Sequence, residues 1–179
     1  MAWEIDAVHS EATFTVKHMM VSTVRGRFNV LSGKLEIDEQ HPENSWIEAE
    51  VDAASIDTHE PRRDGHLRSP DFFDAEKYPK ITFKSTKVVP VDENEYRVTG
   101  DLTIRDVTRE VTFKAEYSGQ LKDMQGFQRA GLTAKTKINR KDWGLNWNVA
   151  LETGGWLVSD EITIEIDLAA VQKAAAVAA

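Results

Sequence analysis

The sequence predicts an all-β protein, an antiparallel β-barrel of about eight strands. Apolar and polar residues alternate with a period of two in seven segments, which is typical of half-buried strands. Strands of parallel sheets are covered on both faces and form continuous apolar runs instead. Closing the sheet into a barrel hides every strand edge, although a two-sheet sandwich would show the same alternation.

The predicted strands follow one another at short spacing along most of the chain. In the segment 111–117, Val111, Phe113 and Ala115 share one face, and polar residues between them form the other. The other segments repeat this pattern with different side chains. All seven are 12–17, 34–37, 46–51, 98–104, 111–117, 132–135 and 162–168.

One stretch interrupts the strands. Ser55 to Pro79 contains three prolines, two histidines and a dense mixture of charges. Residues 60–67 are predicted to form a short helix, because Pro61 suits a first turn in which no backbone N–H is needed. Ser69-Pro70-Asp71 predicts a second helix start. Since long structureless loops are uncommon, we expect a short helical crossover near residues 59–75 that covers one barrel mouth.

The composition indicates one folded domain and disfavours several classes of partner. Hydrophobic residues make up 41% and charged residues 29% of the 179 residues. The net charge of -8 disfavours nucleic acids and anionic membrane surfaces, and cysteine is absent, which removes disulfides and thiolate sites. Residues 1–168 are predicted to form a single barrel domain, and residues 169–179 an alanine-rich C-terminal tail with helical propensity.

The sequence also gives an expectation about location. No stretch approaches the roughly 20 apolar residues of a membrane span, so we expect no stable membrane insertion. The amino terminus has neither a basic region nor an apolar run. We therefore expect a cytoplasmic protein, or a periplasmic one if a leader has been removed.

The histidines are the main candidates for chemistry. His9 and His18 could meet across a hairpin, and His59, Asp64 and His66 could cluster in the crossover. None of these spacings is typical of zinc sites, and no nucleophile elbow or nucleotide-binding loop occurs. We expect neither a metal site nor an enzyme. The alternative is a metal-dependent or hydrolytic enzyme that uses His9, His18 or His66.

Large aromatic residues are frequent for a small β domain. An eight-stranded barrel either fills its interior with side chains or leaves room for one ligand, and the residues leave both interpretations open. A filled core would favour a scaffold that binds another protein. The residues in question are Phe14, Phe28, Phe72, Phe73, Phe83, Phe113, Trp143, Trp147 and Trp156.

A series of motifs resembles the polyisoprenoid-binding family known as YceI-like, a lipocalin-like barrel group. The resemblance runs from Trp3 to about Leu168. Its most specific part is the crossover with the strand that follows. The motifs are Trp3-Glu4-Ile5-Asp6, His9-Ser10, Phe14-x-Val16-x-His18, Gly26-x-Phe28, Gly33, Ser55-Ile56-Asp57-Thr58, Arg63-Asp64-Gly65-His66-Leu67-Arg68-Ser69, Asp71-Phe72-Phe73-Asp74, Tyr78-Pro79-x-Ile81-Thr82-Phe83-x-Ser85, Gly100-x-Leu102-Thr103-Ile104-Arg105, Val107-Thr108, Arg140-x-Asp142-Trp143-Gly144 and Val158-x-Asp160-x-Ile162-x-Ile164.

The resemblance implies an antiparallel barrel around an elongated apolar cavity that takes an isoprenoid chain, such as a quinone tail. Such a protein needs no cofactor beyond the lipid and stores, carries or senses it. A homodimer is a further expectation, because two-fold symmetry is the commonest. The expected wall residues are Phe14, Val16, Phe28, Leu35, Phe73, Phe83, Leu102, Phe113, Leu132, Trp143, Ile162 and Ile164. His66, Arg68, Asp71 and Asp142 are candidates for a polar mouth that anchors a head group, or for internal salt bridges that hold the crossover.

Overall fold

The computed structural model describes residues 3–29, 31–152 and 154–172. Within these ranges the chain forms eleven strands, one helix and three 3₁₀ turns, at Pro42–Asn44, Ala53–Ser55 and Arg140–Trp143. The strands are β1 (Trp3–Ile5), β2 (Glu11–His18), β3 (Ser22–Phe28), β4 (Leu31–Glu36), β5 (Trp46–Asp52), β6 (Ile56–Asp57), β7 (Lys80–Asp92), β8 (Glu95–Ile104), β9 (Val107–Lys122), β10 (Gln128–Asn139) and β11 (Val158–Gln172), and the helix is α1 (Pro61–Arg68).

The eleven strands occupy eight positions in a closed ring. β1 and β2 both pair with β11, and they pair on their other side with β4 and β3. β5 pairs with β4, and β6 pairs with β3. The pairs β1 and β2, β3 and β4, and β5 and β6 therefore each occupy one position in the ring, as two halves of an interrupted strand. β7 to β11 occupy the other five positions. All pairings are antiparallel, so the predicted eight-stranded antiparallel barrel is confirmed.

The alternation places apolar side chains inside the barrel. In β9, residues 111–115 alternate between buried and exposed, with Val111, Phe113 and Ala115 buried. The sequence pattern did not identify β7, because a register shift between Ser85 and Lys87 breaks its period of two. It also missed β3, β6 and the short β1, and β3 contains a glycine where an inward side chain would stand.

The glycine in β3 is required by its neighbour across the sheet. Gly26 pairs with Phe14 of β2, and a Cβ at Gly26 would overlap the Phe14 ring. The aromatic ring lies over the glycine backbone, which keeps the inner surface continuous although one side chain is missing.

The crossover between β6 and β7 contains the predicted short helix. α1 begins with Pro61, and the Glu60 carboxylate accepts hydrogen bonds from the backbone N–H groups of Arg62 and Arg63. The predicted second helix at 69–71 does not form. Hydrogen-bonded turns replace it, since Asp74 has a positive φ of 47° and its N–H bonds back to Ser69.

The crossover covers one end of the barrel, as expected. Phe72 and Ala75 are buried against Leu102, Ile104 and other core residues of that end. We call it the crossover end. The opposite end carries the loop 37–45 between β4 and β5, and we call it the open end.

The barrel extends beyond the boundary predicted at Leu168. β11 continues through Gln172, and Ala170 is fully buried. The first residues of the expected alanine-rich tail are therefore strand rather than helix, because they pair with both β1 and β10. Residues 173–179 lie outside the described part of the chain.

Candidate functional site: an apolar cavity in the barrel

The barrel encloses a cavity of about 300 Å³. Its wall runs from Leu145 and Val158 near the crossover end to Glu39 and Trp46 at the open end. This volume lies at the lower limit of typical small-molecule sites, about 300–1,000 Å³. The wall is overwhelmingly apolar between the two ends.

All but one of the expected wall residues line this cavity. They come from eight different strands and from the crossover, and Ile47, Ala49 and Val51 of β5 complete the circumference of the wall. These residues are Phe14, Val16, Phe28, Leu35, Phe73, Phe83, Leu102, Phe113, Leu132, Ile162 and Ile164.

The exposure of these side chains shows that the interior is hollow. Phe14, Phe28, Phe83 and Ile164 face inward yet are only half-buried. In a filled core, inward side chains are close-packed and lose nearly all of their accessible surface. The choice between lumen and solid core, which the residues alone left open, is therefore decided for a lumen.

Aromatic pairs give the lumen its shape. Phe28 lies between Phe14 and Phe73, with ring centroids 5.8 and 5.7 Å apart, and the second pair is T-shaped. Across the barrel, Phe83 and Phe113 make another T-shaped contact at 5.2 Å. Edge-to-face pairs of this kind fix ring orientation, so the wall is largely preformed.

Trp143 is the exception among the expected wall residues. It is only 2% exposed, and its indole Nε1 donates a hydrogen bond to the Leu102 carbonyl at 2.9 Å. The 3₁₀ turn Arg140–Trp143 places the ring behind the wall, in the core of the crossover end. The expectation that Trp143 lines the lumen is therefore wrong.

Arg140 closes the lumen at the crossover end. Its guanidinium donates hydrogen bonds to the carbonyls of Leu145 (2.7 Å), Trp147 (2.9 Å), Ser159 (3.0 Å) and Val158 (3.4 Å). The residue is 4% exposed, and burial lowers the pKa of the guanidinium from its ordinary value. The sequence pointed to Arg140 only as part of a motif, since two of its carbonyl partners, Leu145 and Trp147, are irregular backbone that no pattern reveals.

The four polar mouth candidates lie at the crossover end, and none lines the cavity. His66 Nε2 lies 2.9 Å from Asp71 Oδ2, and the His66 ring contacts Trp147 at 4.5 Å between centroids. Arg68 donates to the backbone carbonyls of Ala54 and Ile56, and the exposed Asp142 accepts from Arg109 through its own carbonyl. The His66–Asp71 pair lies within the crossover, and Arg68 ties the crossover to backbone carbonyls rather than to a carboxylate.

Apart from Arg140, polar lining residues are concentrated at the open end, which the sequence interpretation did not consider. The Tyr117 hydroxyl donates to Glu39 Oε1 at 2.7 Å, and this bond ties the loop 37–45 to β9. Burial, and secondarily Glu39, raise the pKa of Tyr117 well above its ordinary value. The polar or exposed wall residues here are Glu36, Asp38, Glu39, Ser45, Trp46, Tyr96 and Tyr117. In the sequence, this end was indicated only by Tyr117, the last residue on the inward face of the predicted segment 111–117.

The histidines considered for a metal site are far apart or paired locally. His9 Nδ1 bonds to Asp6 at 2.8 Å near one end of β2, whereas His18 ends that strand. Asp64 accepts from the N–H and hydroxyl of Thr58. In residues 3–29, 31–152 and 154–172, no three histidine or carboxylate side chains are grouped closely enough to bind a metal ion. The same ranges contain no helix with the length and apolarity needed to cross a bilayer.

Comparison with known proteins identifies the family of this barrel. Residues 3–170 match the model of the YceI-like domain. The chain belongs to the YceI-like family. This YceI-like chain is 41% identical to a UPF0312 protein of Vibrio parahaemolyticus over 137 residues, which are 76% of this chain and 72% of that one. It is 40% identical to a UPF0312 protein of Staphylococcus epidermidis over 164 residues, 91% of this chain and 93% of the relative.

Solved structures show the same YceI-like fold. The Campylobacter jejuni YCEI protein superposes with a TM-score of 0.76 at 31% identity, covering 88% of this chain and 90% of that one. BcnA of Burkholderia cenocepacia gives a TM-score of 0.79 at 24% identity, covering 92% and 98%. A polyisoprenoid binding domain from Saccharophagus degradans gives 0.71 at 17% identity, covering 96% and 98%. At the two lower identities the likeness is one of fold.

Proposed function

We propose that this protein is a non-enzymatic carrier, store or sensor that binds a long apolar lipid in its lumen, a polyisoprenoid or the tail of an isoprenoid quinone. The observation that carries the proposal is the hollow apolar interior, in which inward-facing rings such as Phe14, Phe28 and Phe83 remain half-buried. The polyisoprenoid binding domain with the same fold supports the ligand class.

The energetics favour an apolar ligand without any specific polar contact. Each Å² of apolar surface that leaves water contributes about 25 cal/mol. Part of this gain is offset by the lost freedom of ligand and protein, but a preformed wall keeps that cost low. A flexible hydrocarbon chain suits a narrow lumen lined from all sides, and such binding requires no catalytic group.

The direct test is mass spectrometry of an organic extract from natively purified protein, in which we expect a stoichiometric isoprenoid or quinone. If the extract is empty, the protein should still bind an added apolar fluorescent probe. An empty extract together with no probe binding would overturn the proposal.

A lumen-filling variant locates the binding. Ala134 is a half-buried wall residue of β10, and Ala134→Phe places a ring in the cavity. We expect the affinity for the apolar probe to fall about ten-fold or more, since the ring takes up volume and apolar surface that the ligand would use. Ala7→Phe adds the same ring on the exposed surface and should bind the probe like the wild type. Equal affinity of the two variants would exclude the lumen as the binding site.

A further inference from the structure

We propose that the crossover end of the barrel docks reversibly on the surface of a neutral lipid bilayer through an exposed apolar tip. The inference goes beyond binding in the lumen, because it concerns the surface with which the protein would exchange a lipid. It draws on the proposed function only for the choice of partner. The residues of this apolar tip are Met19, Met20, Val21, Val149 and Trp156.

The apolar tip is formed by two segments of the chain that contact each other. The Met19 N–H donates to the Leu157 carbonyl at 2.8 Å, and a Cβ at Gly155 would lie 3.1 Å from the Met20 sulfur. The Leu157 N–H in turn donates to the Val149 carbonyl at 2.9 Å. The turn between β2 and β3 and the residues before β11 therefore form one surface.

The apolar tip lies next to the lumen, at the crossover end. His18, the last residue of β2, pairs with Val158 of β11, and Val158 lines the cavity near that end. Met19 follows His18 directly in the chain. The tip therefore begins beside the cavity wall, and docking through it brings the crossover end of the barrel against the bilayer.

The side chains of the tip are exposed although they are apolar. The exposed fraction is 82% for Val21, 60% for Met20 and 48% for Met19. Five of the ten large hydrophobic side chains that are exposed in the described part of the chain belong to the tip. Single exposed hydrophobic residues are normal, but a contiguous group of them is typical of an interaction surface.

The backbone of the tip is strained in order to hold these side chains. Met19 and Met20 have positive φ angles of 51° and 66°, in a turn closed by a 3.2 Å bond from the Val21 N–H to the His18 carbonyl. Hairpin turns with positive φ at both central residues prefer Asn-Gly, because a Cβ makes this left-handed region costly. Since both methionines are exposed, they add little to the core that would offset the cost. Strain that stability does not explain is typical of functional sites.

The size and charge of the tip favour a neutral bilayer over a protein as its partner. Five side chains are far fewer than the roughly 20–30 residues per partner of a stable protein interface. A bilayer needs no complementary shape, and tryptophan is enriched at the membrane–water interface. Residues 18–21 and 149–157 contain one carboxylate, Glu152, and no lysine or arginine, so they offer no attraction to anionic head groups. The proposed cargo itself partitions into bilayers, because it is apolar.

The test is flotation of the purified protein with phosphatidylcholine vesicles at millimolar lipid. We expect the wild type to float with the vesicles and to dissociate on dilution. Met19→Asn with Met20→Gly, the tip variant, removes both apolar side chains, and its partition coefficient should fall about ten-fold or more. Its thermal unfolding midpoint should stay equal or rise, since Asn-Gly suits the turn. A purely structural role of the two methionines predicts a lower midpoint instead.

The matched control removes exposed apolar side chains near the opposite, open end. Leu121→Asn with Met124→Asn should float like the wild type, because both residues are exposed and lie outside the tip. Trp156→Ser changes the second segment of the tip and should also lower the partition coefficient. Phosphatidylglycerol added to the vesicles should weaken binding at low salt, because the net charge of -8 is repelled by an anionic surface.

The inference is overturned if the wild type does not float, or if the tip variant and the control float equally. It is also overturned if sedimentation shows a dimer that the tip variant loses while vesicles bind neither protein, since the tip then contacts a second copy of the chain. Probe binding in the lumen is measured without vesicles. Failure of either proposal is therefore distinguishable from failure of the other.

Discussion

The two ends of the barrel differ in how they use polar groups. At the crossover end, Arg140 is buried and donates to four backbone carbonyls, and the Trp143 indole donates to a fifth. At the open end, the exposed Glu39 carboxylate accepts a hydrogen bond from Tyr117, and the Asp38 carboxylate caps the backbone N–H groups of Gln40 and His41. The comparison shows that the polar groups of one barrel can stabilise its two ends differently: a single buried cation ties backbone carbonyls together at the crossover end, whereas carboxylates hold a loop in place at the open end.

The largest expected effect is that of removing the Arg140 guanidinium, which should destabilise the crossover end. Arg140→Met leaves four carbonyls without their donor, and we expect the free energy of unfolding to fall by about 3–5 kcal/mol. Urea denaturation measures this change. Arg97→Met, at an exposed position of β8, should change stability by no more than about 0.5 kcal/mol. A similar small effect at both positions would show that Arg140 does not organise this end.

A milder substitution distinguishes a role in stabilising the crossover end from a role in binding the ligand. Trp143→Phe removes the donor to Leu102 and should lower the free energy of unfolding by about 1–3 kcal/mol, because a buried carbonyl loses its partner. Probe affinity should stay near the wild-type value, since Trp143 is not in the wall. Trp156→Phe is the control, because Trp156 is 52% exposed. A large loss of probe affinity in Trp143→Phe would show that Trp143 lines the lumen after all.

The smallest effect concerns acid sensitivity near the open end. A hydrogen bond from His9 lowers the pKa of Asp6, and one from Arg129 lowers the pKa of Asp123, both below the ordinary 3.8. Because the folded-state pKa values are depressed, the stabilisation is complete above pH 3.8 and is lost as the pH falls through the folded values. Arg129 bonds to both carboxylates at 2.8 Å.

Arg129→Gln should therefore lose less stability than the wild type between pH 5 and pH 2, as followed by thermal unfolding at each pH. Arg97→Gln should keep the wild-type acid dependence. If Arg129→Gln and the wild type lose stability in parallel, the bonds from Arg129 to Asp6 and Asp123 do not contribute to the loss of stability at acid pH.

The strands were predictable where the inward and outward faces alternate without interruption. In β9, residues 111–117 assign the inner face correctly, and most expected wall residues were found in the same way. The pattern fails where the backbone is irregular, as at the register shift in β7 or at Gly26 in β3. Bulges and ring-over-glycine contacts depend on the neighbouring strand, which a local pattern does not contain.

The cavity and its open end were harder to predict for a different reason. A filled barrel and a hollow one show the same alternation, because hollowness depends on summed side-chain volume around the whole circumference. The open end depends on closure of the barrel, because Tyr117 and Glu39, which are bonded there, are 78 residues apart in the chain. The dense motifs of the crossover directed the mouth prediction to His66, Arg68 and Asp71, whose side chains instead hold the crossover.

The pairing of the first strand with the last affects how the protein is made. Ile5 of β1 lies opposite Ala170 of β11, so the ring closes only after residue 170 has left the ribosome. At about 5–20 residues per second, the early strands wait roughly 10–30 seconds for their final neighbour. During that time their lumen-facing phenylalanines have no enclosed space. The lumen is therefore complete only after β11 has been made and has paired with β1.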